Sequence, residues 1–198
     1  METLAKSKQK IYLRKAGMPD GTAVSLEQFL RWEPQTPSFK YEWNEGKVIK
    51  IHRKMDPKQN LIYSNLLEAF DVTTLGLKKA RLITEVEVVM NQSFRRPDIA
   101  LFTKEQLIKA GNNEVVMPEF MIEVISKSDN YPNTLEKTKQ YFDNGARLVW
   151  HILPSLKLVK VFTSIKNDIT CSENDLIPAN PVINDLNITV NQLFKDYN

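Results

Sequence analysis

Three short segments of almost uninterrupted apolar residues restrict the fold of this chain more than any other feature of its sequence. They are Ile99–Phe102, Phe120–Ile125 and Leu148–Leu153. Such runs are typical of strands covered on both faces of a sheet, because an exposed face would carry polar residues at alternate positions. A helical pattern over about residues 133–144 separates the last two runs. This order predicts an α/β fold with a central mixed β-sheet flanked by helices.

Two features before residue 57 predict a small N-terminal extension of that fold. Ser25-Leu26-Glu27-Gln28 has the form of a capping box, so a short helix is expected to run to about Trp32. The segment 39–52 alternates around Asn44-Glu45-Gly46, which predicts a β-hairpin whose glycine takes a positive φ.

One long helix and one strand are expected between the hairpin and the apolar runs. Apolar residues recur at helical spacing from Pro57 to Gly76. Residues 81–90 alternate, with Glu85 and Glu87 on a face that we expect to be exposed. Since no repeat or low-complexity linker follows, we expect residues 1–24 to be a basic N-terminal segment and residues 25–198 to be a single domain.

The positive charge of the chain is concentrated at its start. Residues 1–15 hold five basic residues and one acid, whereas the remainder holds 22 basic and 23 acidic residues. A near-neutral remainder does not by itself argue for nucleic acid, so phosphate contacts would fall to the basic start and to two short clusters. The clusters are Lys78, Lys79 and Arg81, and Arg95 with Arg96.

The composition excludes a disulfide scaffold and argues against a membrane protein. Cys171 is the single cysteine, so it has no partner in the chain for a disulfide or a Cys-based zinc site. His52 and His151 have no second ligand-type residue at a useful spacing, so zinc is not expected. No apolar run approaches the roughly 18 residues that cross a bilayer. We expect a cytoplasmic protein with no membrane partner.

Two carboxylates stand where a charge is least expected. Asp98 directly precedes the first apolar run, and Glu123 interrupts the second. An ionised carboxylate inside a sheet costs several kcal/mol unless it is paired or binds a cation. A salt bridge to a nearby Lys or Arg is the simpler explanation for Glu123, and a metal site is the alternative.

The helix after Glu123 offers a partner for it. Lys137 and Tyr141 are four residues apart, so they share a helix face with roughly 5–6 Å between their Cβ atoms. Taken alone, Lys137 would be one more exposed lysine. The joint pattern of two acids near neighbouring strands and a lysine on the next helix favours a shared site.

Such a site has a use in catalysis. Mg²⁺ takes one or two carboxylates together with waters and substrate phosphate, so Asp98 and Glu123 would bind it, aided by the backbone carbonyl of Val124. The ion would lower the pKa of a water that attacks phosphorus. Lys137 would orient that water or stabilise the charge that develops on the phosphate.

A resemblance to a known family covers roughly residues 25–194 and rests on five motifs in order: EQFL, YEWNEGKVI, RRPDIALF, MPEFMIEVISKS and LEKTKQYFDNGARLVW. Their order resembles the Uma-type putative restriction endonuclease family, a branch of the PD-(D/E)XK nuclease superfamily. The resemblance implies a restriction-endonuclease-like core and metal-dependent cleavage of DNA with Mg²⁺ or Mn²⁺. It also implies that Pro97-Asp98 is the PD element, that Glu123 is the second acid, and that Lys137 with Tyr141 is the helix motif.

The sequence departs from the family's pattern at several positions. Ile125 stands where the superfamily has a lysine, so that role would move to Lys137, with Lys127 as the alternative. Asn133 replaces an acid common in the family, and Gln59 stands near the place of a histidine. Glu42 matches the acid of YEWNEG, which implies a third acid at the site, although a solvent-facing hairpin residue is the alternative.

The leading hypothesis is therefore an endonuclease that hydrolyses DNA phosphodiester bonds with a metal-activated water. A homodimer is compatible with it, since cutting both strands calls for two active sites. The alternative is a catalytically weak or inactive descendant that binds nucleic acid or protein, and a third hypothesis is an interaction protein whose acids form only ion pairs.

Overall fold

A computed structural model describes residues 17–32, 38–52, 57–127 and 129–197 of the chain. The chain divides into two compact units, one formed by Met1–Met55 and Val89–Arg96 and the other by Asp56–Val88 and Pro97–Asn198. The basic residues 1–15 lie outside the described residues, and the expected domain boundary stays a prediction. No helix in the described ranges is both long enough and apolar enough to cross a membrane.

The described residues form six α-helices and ten strands. In chain order the elements are α1 (Leu26–Leu30), β1 (Phe39–Asn44), β2 (Lys47–His52), α2 (Gln59–Asp71), α3 (Thr74–Leu77), β3 (Arg81–Thr84), β4 (Val88–Met90), β5 (Ser93–Arg95), β6 (Ile99–Phe102), α4 (Lys104–Gly111), β7 (Phe120–Val124), α5 (Tyr131–Asp143), β8 (Leu148–Leu153), β9 (Leu158–Ser164), β10 (Asn167–Ser172) and α6 (Val190–Leu193).

The first unit contains α1 and a four-stranded sheet in the order β2-β1-β5-β4, apart from Val88 at the start of β4. The predicted capping box is confirmed, because Ser25 and Gln28 exchange side-chain and backbone hydrogen bonds at the start of α1. The predicted hairpin is also confirmed, with φ of 46° at Glu45 and 87° at Gly46. Two successive positive φ values are those of a tight turn whose twist suits a two-residue hairpin loop. The unit's core is largely aromatic: Met18, Phe29, Trp32, Tyr41, Trp43, Val48 and Phe94.

The second unit contains a six-stranded mixed sheet in the order β10-β9-β8-β7-β6-β3. Strands β7 and β8 are parallel, and the other neighbouring pairs are antiparallel. Helix α5 lies between β7 and β8 in the chain, as parallel neighbours require a crossover connection. The three apolar runs form β6, β7 and β8, and every residue of β6 is buried. The predicted α/β fold with a central mixed sheet is confirmed.

Two predicted elements were wrong in their extent, and one was missed. The helix expected over residues 57–76 ends at Asp71, because Thr73 turns out of the helix and its side chain accepts a hydrogen bond from the Gly76 N–H to start α3. The strand expected over residues 81–90 is broken at Glu85, whose φ is 49°. Strands β3 and β4 therefore belong to different sheets. Helix α4, which Thr103 caps, was not predicted.

Candidate active site

Asp98 and Glu123 lie on neighbouring antiparallel segments of the six-stranded sheet. Strands β6 and β7 pair Ile99 with Ile122, and continuing this register by one residue places Asp98 opposite Glu123. The backbone N–H of Val124 donates a hydrogen bond of 2.7 Å to Asp98 Oδ2. The side chain of Asp98 therefore contacts the residue that directly follows Glu123, although 24 residues separate the two acids in the chain.

Glu123 is buried, and two side chains from helix α5 contact its carboxylate. Lys137 Nζ lies 2.9 Å from Oε1 and 3.0 Å from Oε2. The Tyr141 hydroxyl donates a hydrogen bond of 2.7 Å to Oε1. Glu123 is 5% exposed, Lys137 7% and Tyr141 0%, so these groups meet almost entirely out of water. A buried carboxylate requires such partners, because an uncompensated charge in the interior is costly.

The sequence of α5 explains why Lys137 and Tyr141 face the sheet. Asn130 caps the helix by accepting a hydrogen bond from the Asn133 N–H, and proline follows in the first turn, where it needs no hydrogen-bond partner. Lys137 and Tyr141 are one turn apart and lie on the buried face of the helix with Thr138. The predicted shared helix face is confirmed, and it points to Glu123.

The two acids fit a magnesium-type ion by the chemistry of their donor atoms. Carboxylate oxygens are the ligands Mg²⁺ prefers, and it needs only one or two of them because waters and substrate complete its shell. A carboxylate offers about four lone-pair sites, so the hydrogen bonds described above do not exhaust Asp98 or Glu123. Within the described ranges, no group of three or more His, Cys, Asp or Glu side chains is arranged to hold a metal ion.

Lys127, the alternative to Lys137, and Ile125, a departure from the family pattern, differ in exposure and contacts. Lys127 is exposed, whereas Lys137 contacts Glu123. Ile125, for which the resemblance implies a lysine, is 8% exposed, and its N–H donates to the carbonyl of Ile152. Of the two candidate lysines, Lys137 is therefore the one that the structure shows in contact with Glu123.

Glu42 belongs to the first unit, where its carboxylate contacts two consecutive arginines. Arg95 Nη1 donates to Oε2 at 3.1 Å, and the backbone N–H of Arg96 donates to Oε1 at 3.0 Å. Glu42 is 1% exposed, so the solvent-facing alternative is wrong. Arg95 is also buried and pairs with Glu42, so it does not present an exposed charge for the phosphate contacts expected of Arg95 and Arg96. The catalytic role of Glu42 stays a prediction.

A buried histidine beside Glu123 was not predicted as part of this region. The parallel register pairs Glu123 on β7 with His151 on β8. His151 Nε2 lies 2.7 Å from Thr138 Oγ1, and Nδ1 lies 3.3 Å from the Tyr131 hydroxyl. Burial lowers the pKa of His151 to about 4, with Lys160 and Lys137 acting in the same direction and Asp168 opposing them. The signal was available, because His151 interrupts an apolar run as Glu123 does.

Comparison with known proteins identifies a family and a similar fold for this chain. The profile of the Uma2 family, described as "Putative restriction endonuclease", matches residues 26–191. The fold is similar to the crystal structure of a putative nuclease belonging to DUF820 from Anabaena variabilis, with a TM-score of 0.73 and 21% sequence identity over 86% of this chain and 97% of that chain. No curated protein matches the sequence. The structural likeness confirms the expected restriction-endonuclease-like fold.

Proposed function

The chain belongs to the Uma2 family of putative restriction endonucleases, and on that premise we propose that it is a divalent-metal-dependent endonuclease that hydrolyses DNA phosphodiester bonds. The single observation that carries the proposal is the convergence of Asp98, Glu123 and Lys137, which strand register and helix α5 bring together. Two acids and an amine are the set that the resemblance to PD-(D/E)XK nucleases implies, and this supports the proposal.

We propose that Asp98 and Glu123 hold Mg²⁺ or Mn²⁺, with the backbone carbonyl of Val124 as a further ligand. When bound, the ion would supply a water of lowered pKa and offset charge on the phosphodiester. Hydrogen bonds within the protein orient the two carboxylates before an ion binds. The Val124 N–H fixes one oxygen of Asp98, and the Tyr141 hydroxyl fixes one oxygen of Glu123. Each carboxylate therefore has one oxygen fixed by an uncharged donor, and Glu123 has the ammonium of Lys137 as a charged partner in addition.

Lys137 has the role of the amine at the scissile phosphate. Its Nζ lies between the two oxygens of Glu123 in a site largely excluded from water, where a charge acts more strongly than at the surface. A phosphate oxygen that enters beside Glu123 would therefore meet an ammonium already in place. We keep Glu42 as a predicted catalytic residue; the contacts of its carboxylate with Arg95 and the Arg96 N–H lie within the first unit.

A second candidate function is a non-catalytic binding module of the same fold. The observation that favours it is Ile125, a buried apolar residue at the position where the superfamily has a lysine. In that case the contacts of Lys137 and Tyr141 with Glu123 would serve stability alone. Divalent-ion binding separates the two functions, because a scaffold held by ion pairs has no need of the ion.

Cleavage of supercoiled plasmid DNA with Mn²⁺ or Mg²⁺ tests the proposal. The wild-type protein should nick or linearise the plasmid, and Asp98→Asn should reduce the rate at least about 100-fold, because loss of a metal ligand removes the several kcal/mol of charge stabilisation that the ion would supply. Asp143→Asn is a matched control, because Asp143 is an exposed acid on the same unit that pairs with Lys139. Equal cleavage by Asp98→Asn, or no heat of Mn²⁺ binding in calorimetry, would contradict the nuclease proposal.

The same experiment addresses the expected homodimer. Two sites acting together would linearise the plasmid without accumulating nicked circles, whereas a single site would nick first. Sedimentation of the protein with a short duplex would give the mass of the complex. A complex of one chain that still linearises plasmid directly would contradict the paired arrangement.

A further inference from the structure

His151 is a fully buried ionisable residue for which the proposed mechanism has no use. It lies on β8 with no exposed surface, and both of its ring nitrogens face helix α5. Its two contacts on the helix, Tyr131 and Thr138, are seven residues apart, which is about 10 Å at 1.5 Å per residue. One side chain thus holds the helix at two points about two turns apart.

The hydrogen bonds of Thr138 determine which ring nitrogen carries the proton. The Thr138 hydroxyl donates its single hydrogen to the backbone carbonyl of Thr134, at 2.9 Å. It must therefore accept from His151, whose Nε2 carries the hydrogen at a distance of 2.7 Å. Nδ1 is then the acceptor for the Tyr131 hydroxyl at 3.3 Å. A neutral imidazole in this tautomer satisfies all three side chains at once.

The charged groups around His151 support the neutral form. Lys137 on α5 and Lys160 on β9 are positive, and Asp168 on β10 pairs with Lys160 at 2.6 Å. Glu123 on β7 is the neighbour of His151 in the sheet and is paired with Lys137. Tyr131 is uncharged, and its pKa is raised by burial. With burial and two lysines opposing protonation, the imidazole has no charge near neutral pH.

Helix α5 is anchored to two adjacent strands by contacts that alternate along one face. Lys137 and Tyr141 bind Glu123 on β7, and Tyr131 and Thr138 bind His151 on β8. Thr138 directly follows Lys137, so a slide or rotation of the helix that breaks the Thr138 contact also moves Lys137. A displacement of about 1 Å at a catalytic group can cost about 100-fold in rate.

We propose that His151 is a positioning residue for Lys137, which it holds at Glu123 by binding Thr138 and Tyr131 on helix α5. This inference rests on the proposed function, in which Lys137 acts at the scissile phosphate. His151 touches neither substrate nor metal in that mechanism. Its effect passes through the helix.

A pair of threonine variants on one helix tests the inference. Thr138→Val removes the acceptor of His151 and keeps the shape of the side chain, whereas Thr134→Val removes a hydroxyl whose hydrogen bond goes to the Asn130 carbonyl. The ¹⁵Nζ signal of Lys137 in the metal-free protein reports its pairing with Glu123. We expect that signal to shift or disappear in Thr138→Val and to stay unchanged in Thr134→Val. An unchanged signal in both variants would overturn the inference.

Substitution of His151 itself gives a second, independent measurement. His151→Gln keeps a donor within reach of Thr138, and His151→Leu removes it. We expect kcat for DNA cleavage to fall at least about tenfold in His151→Leu with little change in KM, and to recover most of the wild-type value in His151→Gln. Equal kcat values in the two variants would show a purely structural role and overturn the inference, and thermal unfolding of both variants confirms that folded proteins are compared.

The two readouts separate this inference from the proposed function. If the wild-type protein cleaves no DNA, the nuclease proposal fails, but the Lys137 signal still reports whether His151 and Thr138 hold the lysine. If the protein cleaves DNA and the Lys137 signal is the same in Thr138→Val as in wild type, the nuclease proposal stands and the positioning role is wrong.

Discussion

At the scale of single residues, Lys137 and Glu123 keep each other from being buried as lone charges. Replacing Lys137 by methionine approximately preserves the length of the side chain and removes the ammonium, so the buried carboxylate of Glu123 loses its charged partner from α5. Removing one partner of a buried ion pair costs about 3–5 kcal/mol. We therefore expect Lys137→Met to lower the free energy of unfolding of the metal-free protein by that amount, as measured by urea denaturation.

Lys139→Met is the matched control for this prediction, because Lys139 is an exposed lysine of the same helix and pairs with Asp143. Exposed pairs contribute at most about 1 kcal/mol, so the control should stay close to wild type. Mn²⁺ should restore part of the stability lost in Lys137→Met, since a ligand that binds only the folded state stabilises it. Equal destabilisation by the two substitutions would contradict a buried pair at Glu123.

His151 predicts a pH dependence of stability. Its pKa is about 4 in the folded protein, against about 6.5 in an unfolded chain. Between these two pH values the unfolded chain binds a proton that the folded protein does not, so stability falls as the pH is lowered from about 6.5 to about 4. Each pH unit contributes about 1.4 kcal/mol, which gives about 3 kcal/mol in total.

Urea denaturation of wild type and His151→Gln at several pH values measures the contribution of His151 to the pH dependence of stability. Glutamine has no proton to gain, so the difference in unfolding free energy between the two proteins should change by about 3 kcal/mol across that window. A difference that is independent of pH would contradict the buried neutral imidazole.

At the scale of elements, the junction of α2 and α3 depends on the absence of a side chain at Gly76. A Cβ atom there would lie 2.4 Å from the carbonyl oxygen of Phe70 and 3.0 Å from the backbone of Asp71. Backbone atoms cannot move away as a flexible side chain can. We expect Gly76→Ala to destabilise the protein by about 1–3 kcal/mol, as other overpacked sites do, measured by thermal or urea unfolding.

Gly111 offers the opposite case at the end of α4, because a Cβ atom there would meet nothing within 4 Å. Alanine has less conformational freedom than glycine in the unfolded chain, so it loses less entropy when the helix forms. Gly111→Ala should therefore stabilise the protein by about 0.5–1 kcal/mol. Destabilisation of similar size by both substitutions would contradict the packing described at Gly76.

The same scale shows what the sequence could and could not predict. Buried strands, helix α5 and the shared face of Lys137 and Tyr141 followed from local apolar and helical periodicity, and these elements carry most of the candidate site. The break at Glu85 did not follow, because a positive φ at a single residue leaves no mark on an alternating pattern. The pairing of Glu42 with Arg95 depends on the juxtaposition of distant strands, which spacing along the chain does not reveal.

At the scale of the whole molecule, the placement of charge predicts how DNA binding depends on salt. The chain outside residues 1–15 has one more acid than bases, so the basic start is the main source of positive charge. Each phosphate contact contributes about 0.9 to the slope of log affinity against log salt concentration. Replacing Lys6, Lys8 and Lys10 by glutamine should therefore reduce the magnitude of that slope by up to about 3 in a titration with duplex DNA.

Glutamine at Lys157, Lys166 and Lys195 removes the same charge from exposed positions elsewhere and is the control. Because binding depends on contacts with phosphate rather than on net charge, this control should leave the slope close to that of wild type. Equal changes in the two triple variants would show that only net charge matters.

The contact of Lys137 with both oxygens of Glu123 also affects the order in which DNA and a metal ion would bind at the proposed site. Two bare carboxylates would repel a polyanion until a cation had screened them. With the ammonium as resident counter-ion, the three groups together carry one net negative charge, and part of that repulsion is cancelled in advance. If the proposed nuclease function is correct, DNA would therefore be able to bind ahead of the metal, and its phosphate would then help to recruit the ion.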